Sequence, residues 1–277
     1  MIKGKIAKRN SIMFVIVTAA LLFTISILML ERSTILSAYK ATSLALATHK
    51  SAPPLVEHNV ATLLNAAYET FKIPNYGIIH IGARNADELP IYMNKNIKDV
   101  LWIEADTTAE NNLIKKVAQH SGSKVAIFAA TNTNGNITLR TTSNDGYSSS
   151  ILKLKNHVFM SPDVVEAREI TVPQRRLDDY LRKNNNAKPV IYNTLVIDVQ
   201  GAELIALQGA VRTLQHIDAI IAEVNFDDLY AGGVHVNSLD NFCKAQGFTR
   251  VASISVNRAY GDALYVKNRF CTFKQAI

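Results

Sequence analysis

The sequence predicts an α/β domain built on an open, mostly parallel sheet with helices on both faces. Three observations carry this prediction. Short apolar runs of strand length alternate with segments of helical periodicity, the pattern of strands joined by crossover helices. Several of those runs end near a glycine or a carboxylate: GIIHIG at 77–82, VLWIEA at 100–105 and AIIAEVN at 219–225. The third is IDVQGAEL, Ile197 to Leu204, which leads from Thr194-Leu195-Val196 through a glycine turn into the amphipathic segment AELIALQGAVRTLQ. Open sheets bind ligands just outside the carboxyl ends of their strands. Asp198 lies at such an end and Glu203 opens the helix that follows, so both are candidates for chemistry. A carboxylate in a first helical turn also complements the helix dipole, and capping the strand–helix joint is the competing role for both.

The chain ahead of this domain is of another kind. Ile12 to Leu30 carries no charge, and only Thr18, Thr24 and Ser26 interrupt its apolar run. Nineteen helical residues rise about 28 Å, close to the hydrocarbon thickness of a bilayer. Lys3, Lys5, Lys8 and Arg9 precede the run, which predicts a cytoplasmic N-terminus and a non-cytoplasmic domain. A cleaved signal peptide would have a shorter apolar region with small residues close behind it, and Ala45–Ala47 is too distant. A core helix would show a polar face. The expected organisation is a basic tail (1–11), a signal anchor (12–30), a stem (31–54) ending at Pro53-Pro54, and the domain (55–277).

The net charge of +7 follows this division. Residues 1–54 hold seven Lys/Arg against one acidic residue, and residues 55–277 hold 23 against 22. The folded part therefore lacks the basic excess of a nucleic-acid-binding domain. Cys243 and Cys271 are too few for a disulfide framework or a zinc site. Two buried free thiols are expected, with one bridge as the alternative.

Within the domain, Val56–Lys72 has apolar residues at helical spacing. Gly77–Gly82 is the first strand, and the segment from Ala83 to Met93 reads as a helix. Val100–Ala105 is the second strand, 111–119 a helix and Val125–Ala130 the third strand. Residues 137–173 are rich in Gly, Ser and Asn at first and read as an insertion over the mouth of the sheet, ending in a short strand at Glu169–Val172. A helix from Arg176, the central strand Thr194–Val199, the strand Ala219–Asn225 with Glu223 near its end, and a helix over 238–246 follow. Arg250–Ile254 and Ala263–Lys267 close the sheet as an antiparallel pair. The glycine turn GARNADE has one glycine where the dinucleotide fingerprint has three. Glu104 is more informative: it falls about twenty residues after Gly82, the usual place of a carboxylate that holds ribose hydroxyls. A plain surface acid is its alternative.

These residues carry a resemblance. IHIGARNADELPIY, VLWIEAD, NDGYSSSILKLKNH, LDDYL, IDVQGAEL, EVNFDDLY and YGDALYV occur in the order and spacing of the FkbM-type methyltransferases. The resemblance implies a Rossmann-like seven-stranded sheet with the last strand antiparallel, S-adenosylmethionine as cofactor, and methyl transfer to an oxygen of a sugar or other small hydroxylated acceptor. It implies that Gly82 and the backbone at Ala83 line the methionine part of the cofactor, that Glu104 holds the ribose, and that Asn132 lies near the adenine. Asp198 and Glu203 match the family's acidic pair, and Ser148, Ser149 and Ser150 its serine run over the pocket, with Tyr147 packed above. Ala86 replaces a usual second glycine and Arg84 a commoner His or Asn, so a methyl group at 86 is expected to crowd the cofactor.

Methyl transfer from a sulfonium is an in-line displacement that gains from proximity and alignment. A hydroxyl acceptor gains further from a general base. Asp198 is the first candidate, Glu223 the second and His157 the third, the alternative for His157 being a satisfied loop histidine. The histidines lack metal-ligand spacing, so no metal is expected. A binding module without catalysis and a nicotinamide-dependent enzyme are the other classes compatible with such a sheet.

Overall fold

The computed structural model describes residues 55–184 and 192–271. The expected basic tail, membrane span and stem lie outside the described residues. Among those described, no helix is long and apolar enough to cross a membrane.

In chain order the strands are β1 (Gly77–Ile81), β2 (Asp99–Glu104), β3 (Ser123–Ile127), β4 (Ala129–Ala130), β5 (Gly135–Thr142), β6 (Lys153–Leu154), β7 (Glu166–Arg175), β8 (Thr194–Ile197), β9 (Ala219–Asn225), β10 (Tyr230–Ala231), β11 (Phe248–Ser255) and β12 (Tyr260–Lys267). The helices are α1 (Leu55–Asn65, continued by a π-helical turn, Ala66–Thr70), α2 (Leu89–Asn94), α3 (Glu110–Val117), α4 (His157–Met160), α5 (Leu177–Asn184), α6 (Glu203–Gln208), α7 (Val236–Ala245) and α8 (Asn268–Cys271).

Seven strands form the main sheet in the order β11-β12-β9-β8-β1-β2-β3. β1 pairs in parallel with β2 and β8, β2 with β3, and β8 with β9. β12, the last strand in the chain, runs antiparallel to both β9 and β11. This is the expected sheet.

Strand side chains alternate between faces, and the two faces build two cores. Ile79, Ile81, Leu195, Ile197, Ile220 and Ala222 meet Leu207 of α6 and Leu239 of α7. Ile78, Val196, Ile221 and Leu264 meet Leu63 and Leu64 of α1 and Leu113 of α3. Each buried Val, Leu or Ile side chain among them contributes about 1.5–3 kcal/mol. The same alternation fixes where the acids point. Glu223 continues the row of Ala219 and Ile221, Asp198 that of Val196, and Asp262 that of Leu264. All three therefore lie on the α1 side of the sheet, at or near the carboxyl ends of β8 and β9.

The structure corrects four expectations. Residues 125–130 are not one strand. Phe128 N–H still donates to the Glu104 carbonyl (2.8 Å) beside β2, but Ala129–Ala130 leave to join a second sheet, ordered β4-β7-β5. The insertion contains the unexpected strand β5 and a β7 of ten residues, closed over a small seam of Ala129, Leu139 and Val172. Residues 83–88 are not helical, because Arg84 (φ 43°) and Ala86 (φ 51°) adopt left-handed backbone and delay α2 to Leu89. Cys243 and Cys271 are both free thiols, but only Cys243 is buried; Cys271 is half-buried.

Candidate active site

The site begins with a close backbone approach. Gly82 ends β1 with φ +87°, and a Cβ there would lie 1.8 Å from the Asp198 carbonyl oxygen. Only glycine lets the β1 turn pass the end of β8 at this distance. Its N–H and that of Ala83 both donate to the Ile103 carbonyl, at 2.9 and 3.0 Å. The Ala83 side chain turns into the core.

Glu104, at the end of β2, is held by three backbone donors. Oε1 accepts from Ala105 and Asp106, each at 2.7 Å, and Oε2 accepts from Arg84 at 2.6 Å. A carboxylate has about four acceptor positions, so one on Oε2 remains for a ligand hydroxyl. Burial pushes the Glu104 carboxyl upward, and the three N–H bonds oppose that shift. Glu104 forms part of the wall of a cleft of about 990 Å³, counting its open mouth. Gly82, Arg84, Phe128, Ser149 and Ser150 are among its other walls.

Just beyond this cleft the acids gather. Asp198, Glu203 and Glu223 each place a carboxylate oxygen within 4.8 Å of the others. Glu203 and Glu223 are buried, whereas Asp198 is ringed by protein yet reached by solvent. The donors that reach them are neutral. Gln200 Nε2 donates to Asp198 Oδ1 (2.6 Å) and sits 3.2 and 3.3 Å from the two Glu223 oxygens. Glu203 Oε1 accepts from Val199 N–H (3.0 Å) and Gly201 N–H (3.1 Å). Glu203 thus caps the turn between β8 and α6, the structural role that the sequence left open.

Loss of hydration raises all three carboxyls; the Asp198 charge adds to the shift at Glu203 and Glu223, and Glu88 adds to that at Asp198. Glu203 is pushed up to about 7 and Glu223 well above the ordinary 4.5. Asp262 stands opposite Glu223 in the β9–β12 register and accepts from Asn59 Nδ2 of α1 (2.9 Å). Burial lifts its carboxyl to about 7 as well. Oxygen donors this close are also a potential cation ligand set, a possibility that histidine spacing alone could not reveal. With the Gln200 amide donating between two of them, the arrangement is a hydrogen-bonded one.

Gln200 is the residue that the sequence reading missed. It has left-handed backbone (φ 56°). The Tyr230 hydroxyl donates to its Oε1 at 2.5 Å, and the Ser150 hydroxyl donates to its carbonyl at 2.8 Å. The insertion, the acids and Tyr230 therefore meet on one residue, the insertion at its backbone carbonyl and the others at its side chain.

The other expected residues fall in different places. Ser149 and Ser150 line the cleft. Ser148 is buried and does not; its Oγ accepts from Asn144 Nδ2 (3.1 Å) and lies 3.0 Å from His157 Nε2. Tyr147 is exposed, with the Arg84 guanidinium stacked over its ring, so the two clasp the insertion to the glycine turn. His157, on α4, is turned to Ser148 and is not part of the cleft wall, and partial burial lowers its pKa. Asn132 is exposed and donates to Gln208 Oε1 (2.9 Å), because the chain has already left the main sheet at Ala129; it does not line the cleft. The Ala86 methyl is fully buried in the α1-side core, so it does not crowd the cleft.

Residues 80–250 match the profile of the methyltransferase FkbM domain. No curated protein matches the chain. Solved structures similar to it include the METTL16 methyltransferase domain (11% identity, TM-score 0.45, covering 79% of this chain and 70% of that one). TrmK of M. capricolum in complex with S-adenosyl-homocysteine is 14% identical (TM-score 0.41, 72% and 66%). Fibrillarin of Aeropyrum pernix with bound S-adenosyl-L-methionine is 12% identical (TM-score 0.42, 75% and 73%). The family profile runs from His80 in β1 to Arg250 in β11, across the residues that carry Glu104, Asp198, Glu203 and Glu223, and the chain belongs to the FkbM methyltransferase domain family.

Proposed function

We propose that this chain is a membrane-anchored, S-adenosylmethionine-dependent methyltransferase acting on a hydroxyl oxygen of a sugar, glycan or other small hydroxylated acceptor. The observation that carries the reading is the pairing of a cleft at the ends of β1 and β2, whose Glu104 keeps one acceptor position free, with a solvent-reached carboxylate beside it. Glu104 would take a ribose hydroxyl, the Gly82 turn would hold the methionine part, and Phe128 and Ala129 would flank the adenine. The bound cofactor supplies an electrophilic methyl group on sulfonium sulfur. Asp198 would take the proton that the acceptor hydroxyl gives up when its oxygen receives that methyl group. Gln200 holds Asp198 and Glu223 apart from one another and orients both.

The acid cluster supports a neutral hydroxyl-rich acceptor over an anionic one. Phosphates brought close to these acids would meet repulsion, and residues 55–277, with 23 Lys/Arg against 22 Asp/Glu, offer no basic excess to hold a nucleic acid. The apolar run 12–30 with its preceding cations supports a single-pass anchor, with the domain on the non-cytoplasmic side. The test is transfer of labelled methyl from S-adenosylmethionine to a panel of neutral sugars by the full chain. Label recovered on oxygen is the expected result; label that goes only to amines, or to no hydroxylated acceptor, contradicts the proposal.

A further inference from the structure

The cleft and the acid cluster leave one surface feature unused. Among the described residues, eight large apolar side chains are exposed, and five of them fall between β5 and β7: Tyr147, Val158, Phe159, Met160 and Val165. Phe159 is 81% exposed, the most of the eight. Two contacts tie the segments together. Ser148 Oγ and His157 Nε2, 3.0 Å apart, join the Tyr147 turn to α4, and Ser143 N–H donates to the Val165 carbonyl at 3.0 Å. Single exposed apolar residues are ordinary, but a group on one insertion marks a contact surface.

The insertion also builds the mouth of the cleft. Asp145, Gly146, Ser149 and Ser150, on the same segment, are cleft walls. Whatever covers the apolar group therefore sits beside the opening through which an acceptor enters.

We infer that the occupant is the surface of the bilayer that holds the chain's own anchor, with Val158, Phe159 and Met160 of α4 dipped into it, so that the acceptor is the hydroxylated headgroup of a lipid or lipid-linked glycan. The inference rests on the anchored-methyltransferase reading above. The argument comes from the chain ahead of Leu55. The uncharged run 12–30 is long enough to span a bilayer, and the 24 residues of the stem, 31–54, reach at most roughly 80 Å when extended. A domain held within that distance of a bilayer meets it at high effective concentration. An apolar surface too weak to bind lipid from solution then suffices to dock. A bilayer also fits the group's chemistry: Val158, Phe159 and Met160 of α4 carry no charge, and the same insertion supplies polar walls of the cleft, a pairing that matches the boundary between acyl chains and headgroups.

The test uses the full chain reconstituted in phosphatidylcholine vesicles, with and without bromine on the acyl chains as an indole quencher. The chain's one tryptophan, Trp102, is fully buried and gives a constant background. Phe159→Trp adds a reporter on α4, and Val158→Trp is a second reporter on the same helix should the first disturb folding. Tyr76→Trp is the control, since Tyr76 is 53% exposed and precedes β1, at the opposite end of the sheet from the cleft. Brominated lipid is expected to abolish much of the added emission in Phe159→Trp and Val158→Trp and to leave that of Tyr76→Trp unchanged. Unquenched reporters in a chain that still floats with the vesicles would overturn the inference while leaving the anchor intact, and would point to a protein as the occupant. Equal quenching at all three positions would overturn it as well. A chain that does not float with the vesicles would overturn the anchored reading and this inference with it.

Discussion

Asp198→Asn separates chemistry from architecture, because the two roles predict opposite signs for stability. The substitution keeps the side chain's size and an oxygen to accept from Gln200 Nε2, now 2.6 Å from Asp198 Oδ1. It removes one negative charge from a group of three carboxylates within 4.8 Å. At that separation two unit charges repel by about 3.5 kcal/mol at an effective dielectric of 20 and by about 0.9 kcal/mol in water. Asp198 is reached by solvent and its partners are partly protonated at neutral pH, so the lower figure applies, and the variant should gain about 1 kcal/mol at pH 8. As a general base Asp198 contributes about two to four orders of magnitude. The expected outcome is therefore a protein of equal or higher thermal midpoint whose turnover falls about 10²–10⁴-fold. Release of S-adenosylhomocysteine and thermal unfolding, followed on one preparation, report both. A lower midpoint with normal turnover per folded molecule would refute the reasoning: Asp198 would then orient the turn, and Glu223 would become the candidate base.

Glu104→Gln keeps the shape of the side chain but turns an acceptor into a donor facing at least one of the three N–H groups. A hydrogen bond to a charged group contributes about 1.5–3 kcal/mol. Cofactor affinity should therefore drop roughly 10- to 150-fold, and an unchanged dissociation constant by calorimetry would remove Glu104 from the ribose role. Gly82→Ala sets a Cβ 1.8 Å from the Asp198 carbonyl at φ +87°; it should cost about 3 kcal/mol or more, and a variant as stable as the parent would show that the β1–β8 approach has been misread. Stability should also rise on acidification. Glu203 and Asp262, raised to about 7 in the folded state, contribute stability that is present below their unfolded values and lost as pH rises through 7. His80, fully desolvated and lowered to about 4, opposes them, since its contribution is present above its unfolded value of 6.5 and is lost toward 4. Two acids outweigh one histidine, so unfolding free energy should increase by on the order of 2 kcal/mol from pH 8 to pH 5; a flat or falling profile over that range would contradict the acid cluster.

The sheet was legible because its strands are apolar runs with abrupt ends. Ile78–Ile81 and Ala219–Val224 are buried on both faces and read as continuous hydrophobic stretches. β5 was not legible, because Asn136, Thr138 and Arg140 leave only Ile137 and Leu139 as large apolar residues in a strand that packs one small seam. Glu104 was found from its spacing to Gly82, since the strand–crossover–strand unit of the sheet brings both strand ends to the same edge. Gln200 was in view within IDVQGAEL, but its role depends on a left-handed backbone and on Tyr230, thirty residues away. Asp262 joins the acids only through its antiparallel register with Glu223, which no local pattern encodes. At Ala86 the departure from the family glycine was read as crowding of the cofactor. The structure gives a different reason for glycine at that position: the backbone is left-handed and the side chain faces the core.

The central claim is that the cleft beside Asp198 binds S-adenosylmethionine. Calorimetric titration of the full chain with that compound tests it most directly, without knowledge of the acceptor. Saturable binding at one site, displaced by S-adenosylhomocysteine and weakened by Glu104→Gln, is the predicted result. A folded chain that takes up no S-adenosylmethionine at concentrations up to about 1 mM, where binding would be weaker than about −4 kcal/mol, would contradict it.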